Sequence, residues 1–273
     1  MKIPRIGVFD SGVGGLTVLR AMAARLRAHY LYFGDTARLP YGSKSAETVA
    51  RYAIGATGFL QTQSIDLLVI ACNTATALAL SAIERAATVP VIGVVEPGAA
   101  IAAELSKSRA AIVIATEATV SSHAYLGALQ RHGMKAYEKA CPLFVPLVEE
   151  GWIDHPVTEQ VARIYLEEAI AQAAPDSDVL VLACTHYPLL AGLLRRIAPE
   201  RLSIVDSAES AARAVTELLA SSAWSSKVHS DIEMPHHPTF KFFVTDSTEK
   251  FKRLATRFLG RQVDHVEHVD LGG

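Results

Sequence analysis

A nine-residue segment carrying a cysteine occurs twice in this chain, and the duplication constrains the fold more than any other feature. Asp66-Leu67-Leu68-Val69-Ile70-Ala71-Cys72-Asn73-Thr74 recurs as Asp178-Val179-Leu180-Val181-Leu182-Ala183-Cys184-Thr185-His186. Extended to fifteen positions, Asp66–Leu80 and Asp178–Gly192 share seven identities, and the two cysteines lie 112 residues apart. Each copy is a short apolar run that reads as a buried parallel strand. A helix-compatible segment follows each cysteine. In open α/β sheets, ligands bind just outside the carboxyl ends of the strands. Two matched units can therefore present two thiols to one ligand from opposite sides. Removing a proton from one face of a stereocentre and returning one to the other needs that arrangement.

The rest of the chain alternates strand-like and helix-like runs, the signature of α/β architecture. Strands are expected around Ile6–Phe9, Leu31–Phe33, Leu67–Ala71, Val91–Val95, Ala111–Ala115, Val179–Ala183 and Leu202–Val205. Helices are expected over Leu16–Leu26, Ala46–Leu60 (with Ser45 as N-cap) and Val157–Ala171. Phe251, Leu254, Ala255, Phe258 and Leu259 share one helical face, and Gly260 supplies a stop. The segment Ile6–Ser11 matches Ile112–Glu117 in pattern, which extends the repeat backwards. The expected fold is α/β: two similar open lobes with parallel-type central sheets, pseudo-twofold related, with a cleft between them. Residues 1–96 plus 207–273 form the first lobe and 97–206 the second. The first boundary falls near Glu96-Pro97-Gly98, and Ser221–Pro238, rich in Ser, His and Pro, reads as an exposed loop.

Composition excludes several classes. Hydrophobic residues make up 50% of the 273, enough for a sizeable core, yet no apolar run reaches the ~18–20 residues that span a bilayer. The start, Met1-Lys2-Ile3-Pro4-Arg5, leads directly into a strand without a signal-peptide layout, so a cytoplasmic protein is expected. A formal net charge of −2 with no basic block argues against nucleic acid as a partner. Three cysteines make no disulfide framework, and Cys141-Pro142, lacking a twin, reads as structural.

Asp10-Ser11-Gly12-Val13-Gly14-Gly15 follows the first strand and opens a helix. Free N–H groups there suit a carboxylate, but the pattern lacks both the dinucleotide glycine spacing and a Walker lysine. A plain strand-to-helix turn capped by Asp10 is the alternative. A thiol at the Cys72-Asn73-Thr74 corner sits at a helix start, which is expected to pull its pKa below that of a free cysteine; a structural buried cysteine is the alternative. In Cys184-Thr185-His186-Tyr187-Pro188, His186 is placed to tune Cys184 or to hold an amine. A metal held by Cys184, His186 and Cys72 lacks the C-x-x-C clustering of zinc sites, so no metal is expected. Pro40-Tyr41-Gly42 lies in a loop, and Thr116 and Thr119 read either as carboxylate ligands or as a helix cap. Glu149-Glu150-Gly151 reads as a solvated helix end, with substrate orientation by Glu150 as the alternative. His236-His237 reads as a loop pair.

These segments, with Phe33-Gly34-Asp35-Thr36 and Pro142-Leu143, together resemble glutamate racemase, within the aspartate/glutamate racemase superfamily. The resemblance runs from the first strand past residue 205 and includes the Phe251–Gly260 helix. It implies an isomerase that interconverts L- and D-glutamate without a cofactor and supplies D-glutamate for peptidoglycan synthesis, cell-wall biogenesis and cell shape. By position it makes Cys72 and Cys184 the acid/base residues, acting on the D- and L-glutamate faces respectively, with Asp10 and His186 as assisting neighbours. It assigns substrate contacts to Asp10, Ser11, Pro40, Tyr41, Gly42, Asn73, Thr74, Thr116, Thr119, Glu150, Thr185 and His186. The glycines often found beside the family's threonines are Ala115 and Ala118 here. The resemblance further implies a homodimer, and the absence of an N-terminal extension implies no requirement for a cell-wall-precursor activator. A racemase of aspartate and a bilobed carboxylate-binding module without chemistry are the competing readings. The first differs in pocket selectivity, the second in lacking α-proton exchange.

Overall fold

A computed structural model describes residues 3–221 and 237–272. Six strands form the first sheet: β1 (Arg5–Asp10), β2 (His29–Gly34), β3 (Leu67–Ile70), β4 (Val91–Gly93), β9 (Thr239–Val244) and β10 (Glu267–His268), in the order β10-β9-β2-β1-β3-β4. Four form the second: β5 (Ala110–Ala115), β6 (Lys135–Ala140), β7 (Val179–Ala183) and β8 (Ser203–Asp206), in the order β6-β5-β7-β8. All pairings are parallel. The order β2-β1-β3-β4 thus recurs as β6-β5-β7-β8, so the sequence repeat is a repeat of topology. The central strands β3, β5 and β7 are buried along their whole length, which explains why they read as continuous apolar runs rather than alternating ones.

The register corrects one reading of the repeat. The Asp10 carbonyl accepts from Asp35 N, and the Ala115 carbonyl accepts from Cys141 N. At the other end of each strand, Arg5 O accepts from Asp66 N and Ala110 O accepts from Asp178 N. Asp10 therefore corresponds to Ala115 and Ser11 to Thr116, one residue off the pairing of Ile6 with Ile112. A slip of one residue exchanges the two faces of a strand. The second lobe therefore has no carboxylate where the first has Asp10, and the repeat is chemically asymmetric at its ligand-binding end.

Between strands run α1 (Leu16–Arg25), α2 (Ala46–Thr62), α3 (Asn73–Ala86), α4 (Val95–Leu105), α5 (Glu117–Ser122), α6 (Ala124–Arg131), α7 (Phe144–Glu149), α8 (Pro156–Gln172), α9 (Ala191–Ile197), α10 (Ser207–Ala220) and α11 (Thr248–Leu259). Ser45 accepts from Thr48 N as the α2 cap, and Gly260, at φ 76°, ends α11 in the left-handed region that glycine tolerates. Glu96-Pro97-Gly98 lies in the first turn of α4, where a proline's missing N–H costs nothing. The chain passes between the sheets just ahead of it, after Gly93. Helix α10 packs on α1 and on α4, and one buried apolar cluster joins Val8 and Leu19 to Ile112, Leu180 and Ala211. The lobes thus share a continuous core. The strand β6 has no apolar signature: Lys135-Ala136-Tyr137-Glu138-Lys139-Ala140 is an edge strand, and charged residues are what an edge carries. Of the segment Ser221–Pro238, residues 222–236 lie outside the described residues, His236 among them.

Candidate active site

Both cysteine corners fall at the carboxyl ends of central strands, but they are built differently. Cys72 follows β3 and is the N-cap of α3, its Sγ 3.4 Å from Ala75 N and 3.5 Å from Ser11 Oγ. Cys184 follows β7, where the chain enters a 3₁₀ turn over Tyr187–Leu190 rather than an α-helix. Pro188 sits in that first turn, and Tyr187 Oη donates to the Ala115 and Cys141 carbonyls, which pins the turn to the sheet end. In place of helix N–H groups, Cys184 has an imidazole: its Sγ lies 4.0 Å from His186 Nδ1. Both cysteines are only 5% exposed.

The expectation that the helix start lowers the Cys72 pKa is overturned. Burial, and then the Asp10 carboxylate, push this thiol up to about 12, against the opposing hydrogen bonds from Ser11 and Ala75. Asp10 is itself raised by burial, although Gly12 N donates to its Oδ2 at 2.8 Å and His186 lies near enough to oppose the shift. Among the described residues, no donor meets its buried Oδ1 with hydrogen-bond geometry. Burial works against a charged His186, but hydrogen bonds to Cys184 and Glu149 outweigh it and push the ring up to about 10. The site is polarised: a carboxylate and a protonated thiol on the first lobe, an imidazole favouring its charged form on the second.

The loop 10–15 brings the two corners together. Ser11 meets Cys72, while a methyl on Gly14 would overlap Thr185 Oγ1 and the His186 ring. Thr17 Oγ1 donates within reach of both Gly14 O and Thr185 O, each at 2.9 Å. A second set of contacts crosses between lobes at hydroxyls. Thr74 Oγ1 lies 2.9 Å from Thr116 Oγ1 and 3.2 Å from Thr119 Oγ1, which are 2.9 Å from each other. Gly42 packs against Thr116. Asn73 is committed at both ends of its amide, donating to Ser207 Oγ at 3.1 Å and accepting from Tyr125 Oη at 2.6 Å.

Most of the residues singled out from sequence thus converge here: Asp10, Ser11, Gly42, Cys72, Asn73, Thr74, Thr116, Thr119, Cys184, Thr185 and His186. Pro40 is exposed beside them, and the Tyr41 hydroxyl turns away to donate to Asp35 Oδ2 at 2.5 Å. Buried Asp35 also accepts from Arg38 and Thr245, so it anchors the loop rather than facing a ligand. Of the Glu149-Glu150 pair, Glu150 is exposed, whereas Glu149 Oε1 lies 3.0 Å from His186 Nε2. Sequence reasoning named the Glu149-Glu150 pair but favoured Glu150, and it missed Tyr125 and Ser207, neither of which belongs to a repeated segment. Among the described residues, no three His, Cys, Asp or Glu side chains are arranged to hold a metal ion.

Residues 6–215 match the model of a family described as Asp/Glu/hydantoin racemase. The chain belongs to that family. Curated relatives 39–59% identical over nearly the whole chain are glutamate racemases. The one from Koribacter versatilis is 59% identical over 286 residues, covering 99% of this chain and 98% of its own length. A crystal structure of a glutamate racemase isoform from Bacillus anthracis superposes with a TM-score of 0.90 at 36% identity, covering 99% of each chain. The glutamate racemase of Francisella tularensis, solved in complex with D-glutamate, superposes with a TM-score of 0.88 at 33% identity over 99% of each chain. This chain is accordingly an amino-acid racemase of the glutamate racemase type.

Proposed function

We propose that the protein interconverts L- and D-glutamate without a cofactor by a two-thiol mechanism, Cys184 serving the L face and Cys72 the D face. The observation that carries the reading is the polarity of the two corners: Cys72 is held as a thiol beside Asp10, while Cys184 faces a His186 ring that favours its charged form. The Cys72 corner is thus set to supply a proton, and the Cys184 corner places a cationic ring beside the sulfur that would receive one. In the L-to-D direction the Cys184 thiolate takes the α-proton, the Cα–H electron pair stays on carbon, and the Cys72 thiol delivers its proton to the opposite face. The sulfurs end with their states exchanged, and the D-to-L direction runs the same steps backwards.

A thiolate is far too weak a base for an amino-acid α-proton in water, so the surroundings must stabilise the carbanion. Burial of both thiols keeps water from competing. The buried Asp10 Oδ1 is an acceptor for the substrate ammonium, which must stay charged to acidify the α-carbon. The hydroxyls of Thr74, Thr116 and Thr119 satisfy one another and can turn to a carboxylate instead. Asn73, committed to Tyr125 and Ser207, holds the corner while its neighbours bind.

The D-glutamate formed goes to peptidoglycan, the protein works in the cytoplasm, and it assembles as a homodimer. No helix among the described residues is long and apolar enough to cross a membrane. The deciding experiment is proton exchange by the purified protein in deuterium oxide with no cofactor added. Label should enter the α-carbon of the product enantiomer in the first turnover. Cys72→Ala and Cys184→Ala should each stop racemisation, and near-normal turnover in either would reject the scheme. L- and D-aspartate run alongside separate this activity from that of an aspartate racemase.

A further inference from the structure

The carboxylate that engages His186 belongs to the last residue of a six-residue helix, α7. A helix that short has little stability of its own, and its final carbonyls lack intrahelical partners. The next residues along the chain serve most of them, Gly151 N reaching Val148 O at 3.0 Å, but Glu149 O is served from a distant part of the chain, which reaches Val148 O as well. Arg257 Nη1, on α11, donates to Val148 O at 3.0 Å and to Glu149 O at 2.6 Å. The same arginine fills the space beside Gly151, where φ is 85° and a side chain would overlap the guanidinium. Its neighbour Phe258 meets the His186 ring edge-on, with centroids 5.0 Å apart and planes at 80°. Two consecutive residues of α11 therefore grip both members of the Glu149–His186 pair. Among the described residues no carboxylate forms an ion pair with Arg257, so its donors serve the backbone.

We propose that Arg257 is a positioning residue for the Cys184 half-reaction, holding Glu149, and through it the His186 ring, in the orientation that faces Cys184 Sγ. The proposal rests on the two-thiol reading. The route is Arg257 to the Glu149 backbone, the Glu149 carboxylate to His186 Nε2, and His186 Nδ1 to the sulfur. The ionisable groups around this route are Cys184, Asp10 and, beside Glu149, Lys250. Its position on a C-terminal helix, over a hundred residues from α7 in sequence, makes the last helix part of the active-site frame.

The test is a double-mutant cycle between Arg257→Met and Glu149→Gln, read as kcat and KM in both directions. Because L- and D-glutamate are equally stable, kcat/KM must fall equally in both directions. Arg257→Met should lower kcat by about tenfold or more with KM nearly unchanged, the scale expected when a reacting group is slightly misplaced. Arg257→Lys, which retains a donor, should recover part of that loss. In the Glu149→Gln background, Arg257→Met should have less than about a twofold further effect, since coupled residues are not additive. Full additivity, or a folded Arg257→Met enzyme with wild-type kcat, overturns the proposal. If Arg257→Met does not fold, the same cycle with Arg257→Lys decides, and wild-type kcat there overturns it too. Turnover surviving in Cys184→Ala would instead overturn the two-thiol reading, whatever the Arg257 variants do.

Discussion

His186 is held at both ring nitrogens, Nε2 3.0 Å from Glu149 Oε1 and Nδ1 facing Cys184 Sγ at 4.0 Å. The ring is thereby oriented, and the carboxylate on its far side favours the charged form, as carboxylates behind catalytic histidines do. The relationship between Glu149 and His186 gives the second lobe its electrostatic character and leads to the first prediction.

The pair should make stability pH-dependent. The His186 pKa is raised to about 10, so its contribution is complete below the ordinary value of about 6.5 and is lost as pH rises through the folded value. Burial tends to raise Glu149, but His186 outweighs it and holds the carboxylate below its ordinary value. That contribution is present above about 4.5 and is lost as pH falls through the depressed value. Melting temperatures of wild type and Glu149→Gln should therefore differ most near pH 6 and converge towards pH 10. A constant gap across that range would contradict the assignment.

Asp10→Asn should make Cys72 more reactive. The carboxylate is the largest cause after burial of the raised Cys72 pKa, and its removal lowers the cost of the thiolate. Alkylation of Cys72 by iodoacetamide near pH 8, followed residue by residue by mass spectrometry, should speed up roughly threefold or more. An unchanged rate would mean that burial alone sets this thiol.

Gly14→Ala should abolish racemisation while leaving the protein folded. The added methyl meets Thr185 Oγ1 and the His186 ring rather than deep core, so the corner must shift to admit it. Small shifts of reacting groups cost about a hundredfold in rate. Steady-state kinetics with a parallel circular-dichroism melt checks both halves.

Tyr125→Phe should lower stability by about 1 kcal/mol, the scale of one buried hydrogen bond. It removes the 2.6 Å donation to Asn73 Oδ1, which ties α6 of the second lobe to the Cys72 corner of the first. Urea unfolding measures the change, and a variant as stable as wild type would argue that water replaces the lost donor.

The two cysteines were legible because a repeat is visible as letters. Asp10, Thr185 and His186 were legible because they adjoin strand ends where ligands bind. Glu149 was not distinguished from Glu150, since the choice depends on how a six-residue helix is rotated, and Arg257 sets that from the far end of the chain. The Tyr41 hydroxyl looked available until folding placed Asp35 against it. β6 escaped because edge strands need no apolar alternation.

Local sequence was sufficient to determine strand-and-helix alternation, duplication of the cysteine-bearing strand and the siting of two thiols at strand ends, since burial periodicity is written along the chain. Tertiary structure alone decided what surrounds each of those thiols. A thiol's acidity depends on what is packed within a few ångströms, and here that is Asp10 on one side and His186, backed by Glu149, on the other.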